Sequence, residues 1–178
     1  LKEHYIEKLK NMTCKSISLF ILISAILSNC GIYSFSGTSV PEGTNTFFVY
    51  YIKNNASLIQ PNLSNTFTEH LKTKCLAETN LNWDDENADI SFSGAIKNYS
   101  IEPISIQNNE TAAQNRLTIS VEITYTSQID KTQNFNQLFT QYTDFDSNQN
   151  FTELEEELNN IIISNLIDDI FNKALANW

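Results

Sequence analysis

Few residues of this chain have the types and spacing that catalysis or metal binding needs. His70 lies three residues after Phe67 and one before Leu71, in a stretch with helical periodicity. Catalysis would need a nucleophile and an orienting acid beside it, and a metal ion would need further ligands. Neither set is present at a suitable spacing. We therefore expect a surface or boundary histidine, no bound metal and no cofactor.

The other reactive side chains also fit structural roles. Cys75 continues an apolar stripe at i, i+4 spacing that begins at Leu63, which favours a small core residue over a reactive thiol. An acidic run at 84–89 lacks the ligand spacing of a known calcium loop, so a solvated turn is the preferred interpretation. The chain contains no phosphate-binding glycine loop and no G-x-S-x-G motif. These features predict a protein without enzymatic activity.

Cys30 is the residue whose surroundings best indicate a defined chemical step. An apolar run at 17–27 follows a short segment with Lys15, and Leu27 stands three positions before Cys30. The run is too short to span a bilayer but has the length of a signal-peptide core. This spacing looks like a bacterial lipobox, in which the cysteine is lipidated and the upstream peptide removed, and more than one acyl chain makes the anchoring stable. An ordinary signal peptide with a chance cysteine is the alternative.

The charge balance excludes one class of partner. The 178 residues include 11 Lys and Arg and 21 Asp and Glu, for a formal net charge of −10. Four lysines and two glutamates lie within residues 1–29, so their removal leaves 149 residues with a charge of −12. Binding along nucleic-acid phosphates needs clustered Lys and Arg, so nucleic acid is not an expected partner. A hydrophobic content of 41% is enough for one folded core.

The chain divides into three expected segments. Because it begins with Leu1, Met12 is the expected true start, and 1–29 is a signal peptide with the residues that precede it. Residues 30–45 hold glycines and small polar residues and form the lipid anchor and tether. Residues 46–178 form a single domain, because no long linker interrupts them.

Hydrophobic periodicity predicts four strands and two helices in that domain. The order β-α-β-β-β-α predicts a two-layer α+β fold, with both helices packed on one face of a four-stranded sheet. Gly94 is expected to mark a β-bulge, and Thr152 with Glu155 to form a capping box. The predicted elements are a strand at 46–52, a helix from Pro61 through Cys75, a turn at 80–87, strands at 90–97 and 117–125, a turn at 128–133, a strand at 135–142 and a helix from about 152 to near Trp178.

One polar segment is a candidate contact site. Residues 107–116 connect two predicted strands and include Asn109, Glu110 and Arg116, the only arginine. A mobile connecting loop is the preferred interpretation, and a functional contact is the alternative, because binding residues concentrate on loops held by rigid scaffolds. Lys97 and Arg116 are the basic residues on or directly beside the two middle strands.

Taken in order along the chain, these features resemble the LptE family, the lipopolysaccharide-assembly lipoproteins of the Gram-negative outer membrane. The resemblance covers residues 30–178 and depends on the order of its pieces together with the lipobox. The pieces are CGIY at 30–33, the strand at 46–52, NASL at 55–58, PNLSNTFTE at 61–69, FSGAI at 92–96, NETAA at 109–113, NRL at 115–117 and the ending from DIF at 169–171 to Trp178.

The resemblance implies a two-layer fold and a partner, the LptD β-barrel, within which LptE-like proteins sit as a plug. It implies a role in placing lipopolysaccharide in the outer leaflet without enzymatic chemistry. A surface rich in Asn, Gln and Thr suits a polar barrel lumen. The candidates for contact with the barrel or the lipid are Lys97, Asn109, Glu110 and Arg116. The charge of −12 disfavours direct lipopolysaccharide binding, so the plug role is the preferred hypothesis.

The residues after the anchor also carry information on location. Gly31 follows Cys30, and no Asp stands there as an inner-membrane retention signal. With the family resemblance, this implies the inner leaflet of the outer membrane, with the domain facing the periplasm.

The alternative function is an independent periplasm-facing lipoprotein that binds a small ligand or sugar. That alternative predicts a concave pocket lined by aromatic side chains.

Overall fold

The computed structural model describes residues 40–58, 60–104 and 113–176. Neither helix within these ranges is long and apolar enough to cross a membrane. In chain order the elements are β1 Thr46–Val49, β2 Lys53–Asn54, α1 Leu63–Glu78, β3 Asn82–Trp83, β4 Ile90–Ile104, β5 Gln114–Ser127, a 3₁₀ turn Lys131–Gln133, β6 Phe135–Asp146 and α2 Phe151–Leu175.

The predicted α+β class is confirmed, but the predicted count of four strands is wrong. Six strands form one mixed sheet in the order β3-β1-β4-β5-β6, with β2 pairing to β4 beside β1. β1 and β4 are parallel because the chain returns through α1, as a parallel connection requires. The β4–β5 and β5–β6 pairs are antiparallel.

The predicted strand at 46–52 is too long, since β1 ends at Val49, and a separate strand, β2, begins at Lys53 after the predicted end. After β1 the amide of Tyr50 still donates to the carbonyl of Phe92 on β4 at 2.8 Å. The amide of Ile52 instead donates to the hydroxyl of Thr68 at 3.1 Å, so at Ile52 the chain bonds to α1 rather than to β4. It pairs with β4 again at Lys53 and Asn54. A hydrogen bond to a helix 16 residues away cannot be deduced from local periodicity, which explains the incorrect prediction.

A further strand that was not predicted, β3, lies within the segment predicted as a turn. Asn82 and Trp83 pair in parallel with Thr46 and Phe47 at the edge of the sheet. The ring of Trp83 lies 5.8 Å from that of Phe48, centroid to centroid. This two-residue strand exists only because β1 lies beside it, so the Asn- and Asp-rich sequence gave no strand signal of its own.

The core fills the space between the sheet and the helices. The predicted stripe of α1 is confirmed, since Leu63, Phe67, Leu71 and Cys75 are at most 2% exposed. α1 contacts β1, β2 and β3, while α2 contacts β5, β6 and α1. Alternate residues of the central strand point into this layer and are fully buried: Leu117, Ile119, Val121, Ile123 and Tyr125.

The first helix begins two residues later than predicted. Its first residue is Leu63 rather than Pro61, and its N-cap Asn62 makes no side-chain capping bond. The side-chain oxygen of Gln60 instead accepts from the amides of Asn62 at 2.8 Å and Leu63 at 3.0 Å. Gln60 therefore satisfies amides that the first helical turn leaves free.

The predicted capping box at Thr152 and Glu155 is wrong. Asn150 is the N-cap of α2: its Oδ1 accepts from the amide of Thr152 at 3.2 Å, and its Nδ2 donates to Glu153 at 3.0 Å. Asn caps at least as well as Thr, so the helix begins at the earlier cap. Glu155 instead accepts a 2.9 Å hydrogen bond from the hydroxyl of Tyr99 on β4.

The bulge in β4 does not lie at Gly94, where it was predicted. The register with β5 shifts between Ile96 and Asn98. A Cβ placed on Gly94 would lie against the backbone carbonyl oxygen of Glu122 and 3.2 Å from the Cα of Ile123. Gly94 is therefore required by the close approach of two backbones.

Candidate functional site

One face of the sheet is left uncovered by the two described helices, α1 and α2, and we call it the outer face. The alternation along β5 identifies the residues on each face: odd-numbered side chains enter the core, and even-numbered side chains point away from the helices. The β4–β5 and β5–β6 registers give its members: Ser91, Ser93, Ala95, Asn98, Ser100, Glu102, Arg116, Thr118, Ser120, Glu122, Thr124, Thr126, Asn136, Leu138, Thr140, Tyr142 and Asp144.

Short polar side chains on the outer face are hydrogen-bonded to one another. The hydroxyls of Ser120 and Thr140 lie 2.9 Å apart across β5 and β6. The amide of Asn136 donates to the hydroxyl of Thr124 at 2.9 Å. Ser120 is only 7% exposed although neither α1 nor α2 lies on this face, and its β-sheet neighbours are Asn98 on β4 and Thr140 on β6. The outer face is therefore a fixed polar surface.

Arg116 lies on the outer face near one end of β5, where it is held by two neighbours on β6. Its guanidinium makes a bidentate contact with Asp144, at 2.7 Å from Nε to Oδ1 and 2.9 Å from Nη2 to Oδ2. The guanidinium carbon also lies 3.7 Å from the ring centroid of Tyr142. The hydrogen bond from Arg116 holds the pKa of Asp144 below its ordinary value.

Lys97 lies at the β4 bulge. Its ammonium is 3.5 Å from a carboxylate oxygen of Glu122 on β5. Both side chains are about 40% exposed, so the pair is well solvated and contributes little to stability. The bulge interrupts the alternation of side chains at Lys97. This explains why Lys97, which directly follows the core residue Ile96, reaches Glu122.

The structure places Lys97 and Arg116 on the same face but not in one cluster. The partner of Lys97 on β5, Glu122, is six positions from Arg116, which is about 20 Å along a strand. Each cation is matched by a carboxylate. The outer face therefore lacks the concentrated positive charge that phosphate groups would require.

The remaining predicted contact residues lie outside the described residues. These are Asn109 and Glu110 in the segment between β4 and β5, and the predicted lipidation site Cys30. Their assignments stay predictions.

The side chains that were considered as reactive groups or metal ligands in the sequence lie in the following environments. Burial raises the pKa of the Cys75 thiol to about 12, which leaves it protonated at neutral pH. His70 is exposed on α1. Oδ2 of Asp89 accepts from the backbone amides of Asn45 at 2.8 Å and Thr46 at 3.0 Å, which lowers its pKa and joins the start of β1 to β4. Within 40–58, 60–104 and 113–176, no three or more His, Cys, Asp or Glu side chains are grouped to hold a metal.

A groove of about 420 Å³ lies between α1 and α2. The alternative of a small-ligand lipoprotein predicts an aromatic lining, but the side chains here are amide-rich and none is Phe, Tyr or Trp. They are Gln60, Asn62, Leu63, Asn65, Thr66, His70, Glu156, Asn159, Asn160 and Ile163.

Sequence reasoning selected Arg116 but missed the residues that hold it. Tyr142 and Asp144 occupy alternate positions of β6, so their shared face was readable from a period of two. Their pairing with Arg116 was not, because the register between β5 and β6 decides which side chains meet.

Several solved structures are similar to this chain. A minor lipoprotein from Acinetobacter baumannii is 13% identical, with 72% of this chain and 91% of that chain covered and a TM-score of 0.46. The rare lipoprotein B from Shewanella oneidensis is 13% identical, with 72% and 90% covered and a TM-score of 0.41. A putative lipoprotein from Caulobacter crescentus is 11% identical, with 70% and 88% covered and a TM-score of 0.40.

No curated protein sequence matches this chain significantly. The family model described as LptE, lipopolysaccharide-assembly, matches residues 44–174, which span every strand of the sheet and nearly all of α2. Because that match covers most of the sequence, the chain belongs to the LptE family.

Proposed function

We propose that this chain is a lipoprotein of the outer membrane, acylated at Cys30, that serves as the plug and assembly partner of an LptD-type β-barrel in lipopolysaccharide transport. Membership of the LptE family is the observation that carries the proposal. The role is one of binding and support, and it requires no enzymatic step.

The composition of the outer face supports a protein contact inside a barrel. A plug must fit the lumen of its barrel, and such lumens are polar. The outer face offers hydroxyls and amides already oriented by hydrogen bonds, such as Ser120 with Thr140 and Thr124 with Asn136. A surface that is ordered before binding loses little side-chain entropy when a partner covers it.

The pairing of charges favours the barrel over the lipid as the direct partner. Lys97 and Arg116 are engaged by Glu122 and Asp144. A lipid phosphate would have to displace a carboxylate at each site, and Glu102 adds a further negative charge to the same face. We therefore propose that the outer face contacts the barrel wall and that lipopolysaccharide is not held by these two cations.

The first experiment is an affinity pull-down of the tagged full chain from detergent-solubilised outer membranes, with mass spectrometry of the bound proteins. The proposal expects a stoichiometric β-barrel of the LptD type. Recovery of the chain alone would contradict it and favour the independent small-ligand lipoprotein.

A pair of variants tests which surface meets the barrel. Thr118→Arg adds one positive charge and a long side chain to the outer face, whereas Asn160→Arg adds the same group to the exposed side of α2. We expect Thr118→Arg to reduce barrel recovery at least fivefold and Asn160→Arg to leave it near the parent level. The reverse result would move the contact to the helices.

A further inference from the structure

Among the strands that the structure describes, β6 forms a free edge of the sheet. It is the last strand in the sheet order and pairs with β5 along twelve consecutive residues without a bulge. α2 packs against the core face of β6 and leaves its outer face uncovered. The edge is long and regular, which makes it a template for another strand.

The register identifies the backbone groups that face this edge. Beyond the strand end, the amide of Ser147 donates to the carbonyl of Ala113 at 2.9 Å, so odd-numbered positions carry the ladder bonds to β5. The amides and carbonyls of the even-numbered positions 136–144 therefore point away from β5. Among the residues described, no second strand hydrogen-bonds to them.

β6 lacks the features that normally protect an edge strand. Proteins usually place lysine, proline or a bulge there to prevent pairing with other chains. β6 contains no lysine, no proline and no bulge, and its two charged side chains, Asp144 and Asp146, lie at its C-terminal end. Its even-numbered positions instead include two large apolar side chains, Leu138 and Tyr142, that are 56% and 51% exposed.

We propose that the free edge of β6 pairs with β6 of a second copy of this chain, antiparallel about a twofold axis at Thr140. In this register Leu138 lies opposite the partner's Tyr142, and symmetry repeats the contact. Asn136 lies opposite the partner's Asp144, so no two carboxylates face each other. All these positions are even-numbered, so the facing residues exchange backbone hydrogen bonds. The result is an isologous contact in which the sheet continues from one copy into the other.

Other registers lose this complementarity. An axis at Tyr142 places Leu138 opposite the partner's Asp146, which pairs an apolar side chain with a carboxylate. An axis at Asp144 places two identical carboxylates directly opposite each other, and like charges at that position destabilise a sheet. Only the axis at Thr140 pairs both exposed apolar residues of β6 with each other. The proposal concerns the edge of β6 and does not depend on the plug function.

Cysteine cross-linking tests the pairing and its register together. Facing residues of a hydrogen-bonded antiparallel pair have Cα atoms about 5.5 Å apart, within disulfide range. The full chain with Thr140→Cys is expressed in cells, and the isolated membranes are oxidised mildly. It should form a disulfide-linked species of twice the chain mass. Asn136→Cys is the matched control on the same face, because its twofold mate would lie eight positions away, about 27 Å along the strand.

The two substitutions, Thr140→Cys and Asn136→Cys, should differ in the amount of linked dimer. The parent chain sets the background from its native cysteines, and thermal unfolding of each variant confirms that it is folded. We expect at least five times more linked dimer for Thr140→Cys than for Asn136→Cys. Equal linkage at both positions would indicate random collision and overturn the proposal. Linkage of Thr140→Cys to a different protein would overturn it as well and assign the edge to that partner.

A second pair keeps the test independent of Thr140. Co-expressed Leu138→Cys and Tyr142→Cys chains should link to each other, while either chain expressed alone should remain near the parent background. Linkage only within single variants, or none in the mixture, would overturn the register.

Discussion

Arg116 and Asp144 face each other across β5 and β6 and form two parallel hydrogen bonds, at 2.7 Å and 2.9 Å. They are 28 positions apart in the sequence and meet because the strand register brings them together. Arg116 is one of the four residues predicted as candidates for contact with the barrel or the lipid. Its geometry, with the Tyr142 ring 3.7 Å from the guanidinium carbon, makes Arg116 an ordered part of the outer face.

The Arg116–Asp144 pair predicts a change in titration. Arg116→Gln should raise the pKa of Asp144 towards its ordinary value, because the hydrogen bond that lowers it is lost. The check is an NMR titration of the side-chain carboxyl carbon. Asp130, whose pKa is lowered by Thr132, is the internal control and should not move. An unchanged Asp144 pKa would contradict the ion-pair geometry.

The same shift fixes the sign of the pH dependence. Because the folded-state pKa of Asp144 is lowered, its contribution to stability is fully present above the unfolded value near 4. The contribution is lost as the pH falls through the lowered folded-state pKa. The stability difference between the parent and Asp144→Asn should therefore shrink on acidification below about pH 4, measured by urea unfolding at several pH values.

Cys30→Ala should release the protein from membranes while leaving the domain folded. The acyl chains would provide the anchor, and Cys30 precedes the predicted domain at 46–178 in the sequence. Fractionation of membranes and soluble extract measures the first effect, and thermal unfolding measures the second. Normal membrane retention of the variant would contradict the lipidation prediction.

Ile119→Ala tests the buried face of β5. Ile119 is fully buried, so the substitution should lower the free energy of unfolding by about 2–5 kcal/mol. Thr118→Ala, on the outer face one residue away, should cost about 1 kcal/mol or less. Urea unfolding distinguishes the two, and equal effects would mean that the faces are misassigned.

Gly94→Ala should destabilise the fold although it adds only one methyl group. The new Cβ would meet the carbonyl of Glu122, so the two backbones must separate, at a cost of about 1–3 kcal/mol. Ser93→Ala, the preceding position on the outer face, is the control and should have a small effect. A parent-like melting temperature for Gly94→Ala would argue against the close approach.

Asn150→Ala and Thr152→Ala distinguish the observed cap of α2 from the predicted one. Loss of the Asn150 side chain should cost about 0.5–2 kcal/mol, because the amide of Thr152 loses its acceptor. Thr152→Ala should cost less, since no capping bond uses its hydroxyl. A larger loss at Thr152, measured by chemical unfolding, would restore the predicted capping box.

Hydrophobic periodicity was enough to predict the α+β class of the fold. Apolar residues at i, i+4 spacing, from Leu63 to Cys75, mark the buried stripe of α1. Strict alternation from Leu117 to Tyr125 marks the central strand. These signals are local, because a helix or a strand repeats its buried side every few residues.

The strand count and the side-chain pairs of the outer face depend on contacts that form when helices and strands pack together. Thr68 accepts the amide of Ile52 between β1 and β2, and β3 forms by pairing with β1. Asp144 and Tyr142 engage Arg116 through register alone. Each of these contacts joins segments far apart in the chain, and their partners are fixed when helices and strands pack, so local periodicity carries no record of them.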